Sequence, residues 1–272
     1  MKLKQDENKE YWEKRAEKFV DHQVSWWDIN MKKIEIDTIT GLLSPDDYVL
    51  DVGCSNGATT RELQEKTGAR FLGIDYSENA IRQAKEYESP RLIDYSENAP
   101  QQTRTDDILF LTFEHKSILD FQEQEIFDKA ISVRCLINLM EYADQLQALR
   151  NIHACLKPGG LYIMCEAFSG ALGNLNRARE VFGLAPLPMP AYNNYFDEDE
   201  LATAIQGMFS IEGVIKHSSL YYIGTRIFQY MSMDAEPKEP DTELHRFFAH
   251  YGLETGKSGD FGPNKVYLLK KI

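Results

Sequence analysis

The sequence predicts an α/β fold, a mostly parallel sheet covered by helices on both faces. Two observations predict it. Short apolar runs recur at 48–53, 70–75, 108–115, 127–133 and 161–168, and helical stretches fill most of the intervals between them. Strands that alternate with helices are joined by crossovers, so they run parallel and bury both faces of the sheet. The third observation locates a ligand edge. In Tyr48-Val-Leu-Asp-Val-Gly-Cys-Ser-Asn-Gly57 a strand breaks into a glycine turn and opens a helix at Ala58. Glycine permits close backbone approach, and a helix start offers unpaired N–H groups.

The remaining elements follow in chain order. Residues 6–20 form an amphipathic helix with Trp12, Ala16, Phe19 and Val20 at helical spacing. A second helical stretch covers about 27–43, with Trp26 and Trp27 adjacent at its start; if both are helical, they point different ways, one of them toward the cleft. Ser44-Pro45-Asp46-Asp47 is a turn into the first strand. The helix at 58–66 leads to the second strand, Arg70-Phe-Leu-Gly-Ile-Asp75, which ends on an acid, and Ile81–Lys85 is again helical. Two later strands, near 209–217 and 265–270, flank an excursion with Tyr221-Tyr222, a Pro-rich acidic linker at 234–241 and a helix near 242–251. The heptapeptide at 74–80 recurs at 93–99. The second copy follows Ser89-Pro90 and runs into Pro100, so it reads as a surface loop, and Asp75 rather than Asp94 is the expected ribose acid.

An acid at a strand tip accepts both hydroxyls of a ribose, so the edge suits a nucleoside. A dinucleotide fingerprint needs Gly-x-Gly-x-x-Gly. Here the pattern is Gly53-Cys-Ser-Asn-Gly57, with Asp51 two residues earlier. That carboxylate repels a pyrophosphate but suits a cationic ligand, and S-adenosylmethionine carries a sulfonium and an ammonium. At Asp51, Gly53 and Gly57 the sequence resembles the class I S-adenosylmethionine-dependent methyltransferases, whose first motif is Asp/Glu-x-Gly-x-Gly-x-Gly. Ser55 stands at the middle glycine, which reshapes the turn. Gly159-Gly160, just after Leu156-Lys-Pro, matches the turn that precedes the fifth strand in the same family.

The resemblance covers about 45–168 well and the ends in outline. It implies a Rossmann-like seven-stranded sheet of order 3-2-1-4-5-7-6 with the last strand antiparallel. It divides the chain into a helical cap, 1–44, and a methyltransferase domain, 45–272. Within that domain lie an acceptor lid, 169–196, and an insertion, 231–264. It implies S-adenosylmethionine as cofactor, bound by Asp51, Gly53, Cys54, Asn56 and Gly57, with Asp51 and Gly53 toward its methionine part. Asp75 takes the ribose, and Tyr76, Ser117 and Ile118 the adenine region, where Asp120 follows three residues after Ser117. Arg134 and Asn138, after the fourth strand, line the cleft. Arg134 is grouped with the cofactor residues, with pairing to a helix acid as its other reading. The segments Arg134-Cys-Leu-Ile-Asn-Leu and Asn193–Leu201 are similar to small-molecule enzymes of bacterial surface-polysaccharide synthesis, implying a sugar or sugar-attached acceptor.

Methyl transfer needs alignment more than acid–base groups, and a base only if the acceptor is protonated. The candidate proton acceptors are Glu166, at the end of the fifth strand, and His217, with His22 also conceivable. Each has a purely structural alternative. The stretch 183–197 combines prolines with Tyr192, Asn193, Asn194 and Tyr195, a set with stacking faces and hydrogen-bonding arms for a polar small molecule. It is read as an acceptor wall, or else as a packed connection.

Composition narrows the classes. Basic side chains number 30 against 43 acidic, a net charge of -13, which disfavours a nucleic-acid acceptor. No apolar run approaches a membrane span, and the charged N-terminus lacks a signal-peptide core. The four cysteines show no Cys-x-x-Cys pair, so no metal site is expected and the chain reads as cytoplasmic and reduced. Two other functions fit the sequence: a nicotinamide-dependent oxidoreductase, because Asp75 suits any adenosine ribose, and an adaptor that binds S-adenosylmethionine without turnover.

Overall fold

Seven strands pair into one sheet: β1 (Tyr48–Val52), β2 (Arg70–Asp75), β3 (Leu111–His115), β4 (Phe127–Val133), β5 (Leu156–Ala167), β6 (Phe209–Ile215) and β7 (Asn264–Lys271). The computed structural model describes residues 2–19, 24, 28–86, 111–232, 242–255 and 259–272. The strand order is β3-β2-β1-β4-β5-β7-β6, as expected. β1 to β5 are mutually parallel, and β7 runs antiparallel to both β5 and β6. The order reverses between β1 and β4, and that switch point opens the cleft.

The period-2 alternation of the strands explains the two covered faces. Leu50, Val52, Leu72, Ala130, Tyr162 and Met164 face one layer, where α5 (Tyr142–Cys155) supplies Ala148, Leu149 and Ile152. Val49, Phe71, Ile131, Ile163 and Cys165 face the other. There α2 (Ile29–Thr40) brings Ile36 and Ile39, and α3 (Ala58–Thr67) brings Leu63. Each such aliphatic side chain stabilises the fold by roughly 1.5–3 kcal/mol.

The N-terminal helix α1 (Gln5–Lys18) lies over the switch-point end of the sheet and contacts α4 (Glu78–Glu86). The Asp28 side chain caps α2 by accepting from the Met31 N–H at 3.1 Å. α6 (Ser169–Val181) and α7 (Glu198–Ala204) lie between β5 and β6. The excursion after β6 forms α8 (Ser219–Ile223), a π-helical turn at Gly224–Phe228, α9 (Gln229–Ser232) and α10 (Glu243–Thr255). It packs on α2 through Met31, Ile34, Tyr221 and Ala249. The Tyr221 hydroxyl donates to Asp28 at 2.6 Å.

The largest boundary difference from the sequence reading is at β5. β5 starts at Leu156, not 161, because Gly159-Gly160 lies within the strand as a bulge. Pairing runs Phe127 to Leu156, then resumes at Lys129 to Leu161. Gly159 takes φ +72°, which releases the extra residues without breaking the ladder. His22, Trp26, Trp27, the 93–99 repeat with Asp94, and the linker 234–241 lie outside the described residues.

Candidate functional site

β1 ends in a turn held from both sides. The N–H groups of Gly53 and Cys54 donate to the Ile74 carbonyl at 2.8 and 3.0 Å. Gly53 has φ +75°, and a Cβ there would overlap Cys135. Ser55, at the middle position of the glycine motif, takes φ +53° all the same. It holds a left-handed conformation that costs an L-residue about 1–2 kcal/mol. Its N–H donates to Asp75 Oδ2 at 2.9 Å, and that bond fixes the turn. Gly57, also left-handed at φ +73°, starts α3 and packs against Phe113.

This turn floors a cavity, open to solvent, that spans about 930 Å³ along the carboxyl ends of β1, β2 and β4. Gly53, Ser55, Asp75, Tyr76, Ser117, Ile118, Arg134 and Asn138 line it, and α1 roofs it with Gln5, Lys9 and Trp12. Asp75 Oδ1 accepts from the Ser77 N–H at 2.8 Å. Burial pushes its carboxyl up to about 6, against the two backbone N–H bonds that favour the anion. The Tyr76 hydroxyl and Trp12 Nε1 are buried without a hydrogen-bond partner, so both wall residues carry a polar atom that a bound molecule can satisfy. Ser117 caps the turn Ile118–Asp120 by accepting from the Leu119 N–H.

A smaller polar recess adjoins through Gly53, Ser55 and Arg134, and contains Lys32, Asp51, Cys54, Asn56 and Thr59. Asp51 Oδ2 accepts from the Thr60 hydroxyl at 2.6 Å, and burial raises its carboxyl to about 6. Burial and the nearby Arg134 lower Lys32 to about 8. One anionic and two cationic groups therefore line one recess, complementary to an amino acid's ammonium and carboxylate.

A second large cleft encloses about 1090 Å³ open to solvent. Tyr11, Trp12, Arg15, Arg134, Asn138, Tyr192, Asn193, Tyr195, Tyr222 and Arg226 are among its walls. Tyr11 and Tyr192 stack at 4.8 Å. Asn193 donates to Asn138 Oδ1 at 2.8 Å, and Asn138 donates to the Arg134 carbonyl at 2.9 Å. Asn194 turns elsewhere. It accepts from Lys2 at 2.8 Å and donates to the Leu139 carbonyl, tying the N-terminus to this loop.

Both candidate proton acceptors sit off the cavity walls, a correction to the expected rim position of Glu166. Glu166 is fully buried and accepts from the Ser132 hydroxyl at 2.6 Å and from the N–H groups of Cys135, Leu136 and Ile137 at 3.1, 3.0 and 3.4 Å. Burial raises it to about 7, the four donors opposing. His217 is buried, and desolvation lowers it to about 4. It lies beside Glu35 and Cys165, their potential ligand atoms within 4.8 Å of one another. Glu35 already accepts from Arg134 and Asn264 there, and that guanidinium disfavours a bound cation.

Arg134 forms the expected pair with a helix acid without leaving the cleft. It pairs with Glu35 on α2 and also stands on the walls of all three cavities. Lys32, Arg226 and Tyr222 escaped the sequence reading, and Trp12, weighed as a lid residue but favoured as core, lines both large cavities. Lys32 and Glu35 did leave a signal, as charges among Met31, Ile34, Ile36 and Ile39 on a helix with little polar face.

A family model described as a methyltransferase domain matches residues 43–184, just over half of the chain. The chain belongs to the class I S-adenosylmethionine-dependent methyltransferases. A carboxy-S-adenosyl-L-methionine synthase of Actinobacillus succinogenes is 26% identical over 129 residues, 46% of this chain and 47% of that protein. A sterol 24-C-methyltransferase of Saccharomyces cerevisiae is 29% identical over 121 residues, 44% of this chain and 27% of that protein. The chain thus spans about half, or less, of the curated relatives it matches. Among solved structures, the putative methyltransferase in complex with the Haloferax volcanii Trm112 activator gives a TM-score of 0.57 at 16% identity, covering 96% of each chain. A methyltransferase of Methanosarcina mazei gives 0.52 at 18% identity, covering 86% of this chain and 97% of that one. Both likenesses concern the fold. S-adenosylmethionine is the family's cofactor, and the residues present fit it: an acid at the β2 tip, the mixed-charge recess and the buried polar atoms of Tyr76 and Trp12.

Proposed function

We propose that this chain moves a methyl group from S-adenosylmethionine to a polar small molecule held in the second cleft. One observation carries the reading: Trp12, Arg134 and Asn138 stand on the walls of both large cavities, so the compartments meet at those side chains. The cofactor supplies a methyl carbon already activated on a sulfonium. The protein's task is to align, desolvate and hold. Asp75 accepts from the ribose hydroxyls, and Tyr76, Ser117 and Ile118 border the adenine. Asp51 takes the ammonium, directly or through water. Lys32 takes the carboxylate, and Arg134 stands between that recess and the second cleft.

In this reading residues 1–44 cap the site, 45–272 form the catalytic domain, 169–196 act as an acceptor lid and 231–264 are an insertion. Asn138, Tyr192, Asn193 and Tyr195 contact the acceptor, for which a sugar or sugar-attached group of a cytoplasmic precursor is the finer proposal. Glu166 acts as a positioning residue, because it anchors the N–H groups of the segment that carries Arg134 and Asn138. Among the described residues lining the second cleft there is no carboxylate or histidine. An acceptor that has shed its own proton suits such a wall.

Calorimetry with S-adenosylmethionine and S-adenosylhomocysteine, with NAD as control, tests the reading. Micromolar binding of the first two and none of NAD is expected. Binding of NAD alone would return the chain to the oxidoreductases. Cofactor binding without label transfer to any acceptor would favour the adaptor.

A further inference from the structure

Among the described residues, the second cleft is lined by arginines and by no acid, in a chain that is strongly acidic. The whole sequence carries a net charge of -13. Yet the described residues lining this cleft include Arg15, Arg134 and Arg226 and no Asp or Glu. The arginines come from three separate parts of the fold: α1, the end of β4, and the π-helical turn at Gly224–Phe228. Such a convergence is not the solvated face of one helix.

Two of the three are held in place from behind. Glu35 accepts from Nε and Nη2 of Arg134, both at 3.0 Å, and Asp28 accepts from Arg226 Nη2 at 3.2 Å. Both acids are fully buried. A guanidinium carries five N–H donors in a fixed fork, so an acid on one edge orients the fork. The Tyr222 ring lies against Arg226, with Cζ 5.5 Å from the ring centroid. Burial raises the Tyr195 and Tyr222 hydroxyls, which therefore stay protonated as donors. Stacked Tyr11 and Tyr192, with Trp12 edge-on to Tyr192, form an aromatic side wall.

We infer that the acceptor bears an oxyanion, a carboxylate or a phosphate, seated between Arg134 and Arg226, with a flat body against the Tyr11–Trp12–Tyr192 wall. Charge-assisted bonds to an arginine fork are the strong ones, and their planar geometry selects these two groups. The inference rests on the proposed transfer reaction, since it names the substrate class of the same cleft.

The test is calorimetry on the 272-residue chain saturated with S-adenosylhomocysteine. The probes are benzoate, phenyl phosphate and the uncharged benzamide. At least one anion is expected to bind about tenfold or more tighter than benzamide, the equivalent of about 1.4 kcal/mol. Preference for benzoate names the carboxylate, and preference for phenyl phosphate names the phosphate. Equal binding of the three, or of none, overturns the inference. Arg226→Gln is expected to abolish the preference and Arg226→Lys to keep part of it. Should Arg226→Gln fail to bind S-adenosylhomocysteine, and so fail to fold, Arg15→Gln carries the same comparison with a smaller expected loss. An anion preference unchanged in the folded Gln variant would remove Arg226 from the site and overturn the proposal. Absence of S-adenosylhomocysteine binding by the unsubstituted chain is a different failure, and it strikes the transfer reaction itself.

Discussion

Arg134 and Glu35 form a two-point ion pair between the end of β4 and the middle of α2, each N–O contact at 3.0 Å. Glu35 is 1% exposed and Arg134 12%. Arg134 also takes a left-handed φ of +53°, a conformation that a bulky residue holds only when its surroundings force it. The Glu35 fork, the Arg134 N–H to the Cys165 carbonyl at 2.8 Å, and the Asn138 amide on the Arg134 carbonyl together supply that force. The pair thereby fixes a guanidinium at the junction of the two large cavities.

Glu35→Ala is expected to cost roughly 3–5 kcal/mol of unfolding free energy, because it leaves a buried guanidinium without its anion. Glu35→Gln keeps the shape and one acceptor oxygen, so its loss is smaller. Burial raises the Glu35 carboxyl despite Arg134, which further narrows the gap between Glu and Gln. Urea titration measures both. Equal stability of Glu35→Ala and the unsubstituted chain would mean that α2 does not position Arg134.

Cofactor affinity is expected to peak between about pH 6 and pH 8. Asp75 and Asp51 are both pushed up to about 6 by burial, and each must be anionic to accept from the ribose hydroxyls or pair with the ammonium. Affinity therefore falls as pH drops through 6 and the carboxyls take up protons. Lys32 lies at about 8 and must be cationic to meet the ligand carboxylate, so affinity also falls as pH rises through 8. Asp75→Asn should weaken binding of S-adenosylhomocysteine by about 1.5–3 kcal/mol at neutral pH and reduce the acid limb. Lys32→Met should reduce the alkaline limb. A profile whose alkaline limb is identical in Lys32→Met would remove that lysine from the recess.

The cofactor half was legible because its signals are local. Asp51, Gly53, Gly57 and Asp75 lie within two strands and one turn, and the backbone rules that select them operate over a few residues. Strand order followed from the family resemblance, and the bulge at Gly159-Gly160 did not, since both turn and bulge want glycine. The second cleft was only partly legible. Tyr192 and Asn193 announced themselves by composition, whereas Arg15 and Arg226 come from helices more than 200 residues apart and meet only through tertiary packing. Glu166 shows the converse error. A strand-end position suggested a rim carboxylate, yet three loop N–H groups turn inward and enclose it.

Gly53→Ala tests why that glycine is needed. A Cβ at Gly53 would overlap the Cys135 side chain, and φ +75° is costly for alanine in any case. The substitution is expected to destabilise by about 2–4 kcal/mol, from the overpacking and left-handed costs together. Cys135→Gly removes the steric part only, so the double variant should recover part of the loss in thermal denaturation. Full loss in the double variant would assign the glycine to backbone conformation alone.

Glu166 separates anchoring from proton transfer. Glu166→Ala leaves the buried N–H groups of Cys135 and Leu136 without an acceptor, and each costs about 1–3 kcal/mol. Stability and turnover should therefore fall together. Glu166→Gln retains one acceptor oxygen, and Oε1, which takes the Ser132, Cys135 and Leu136 donors, is the atom it would keep. The amide nitrogen then faces the Ile137 N–H, the longest of the four contacts at 3.4 Å, so the variant is expected to stay folded with much of its turnover. A proton acceptor behaves oppositely: Glu166→Gln would keep its stability, lose turnover, and lose the pH dependence of kcat near 7, where burial places this carboxyl. Denaturation curves and pH–rate profiles on the two variants distinguish the roles, and a stable, inactive Glu166→Gln would make Glu166 the base.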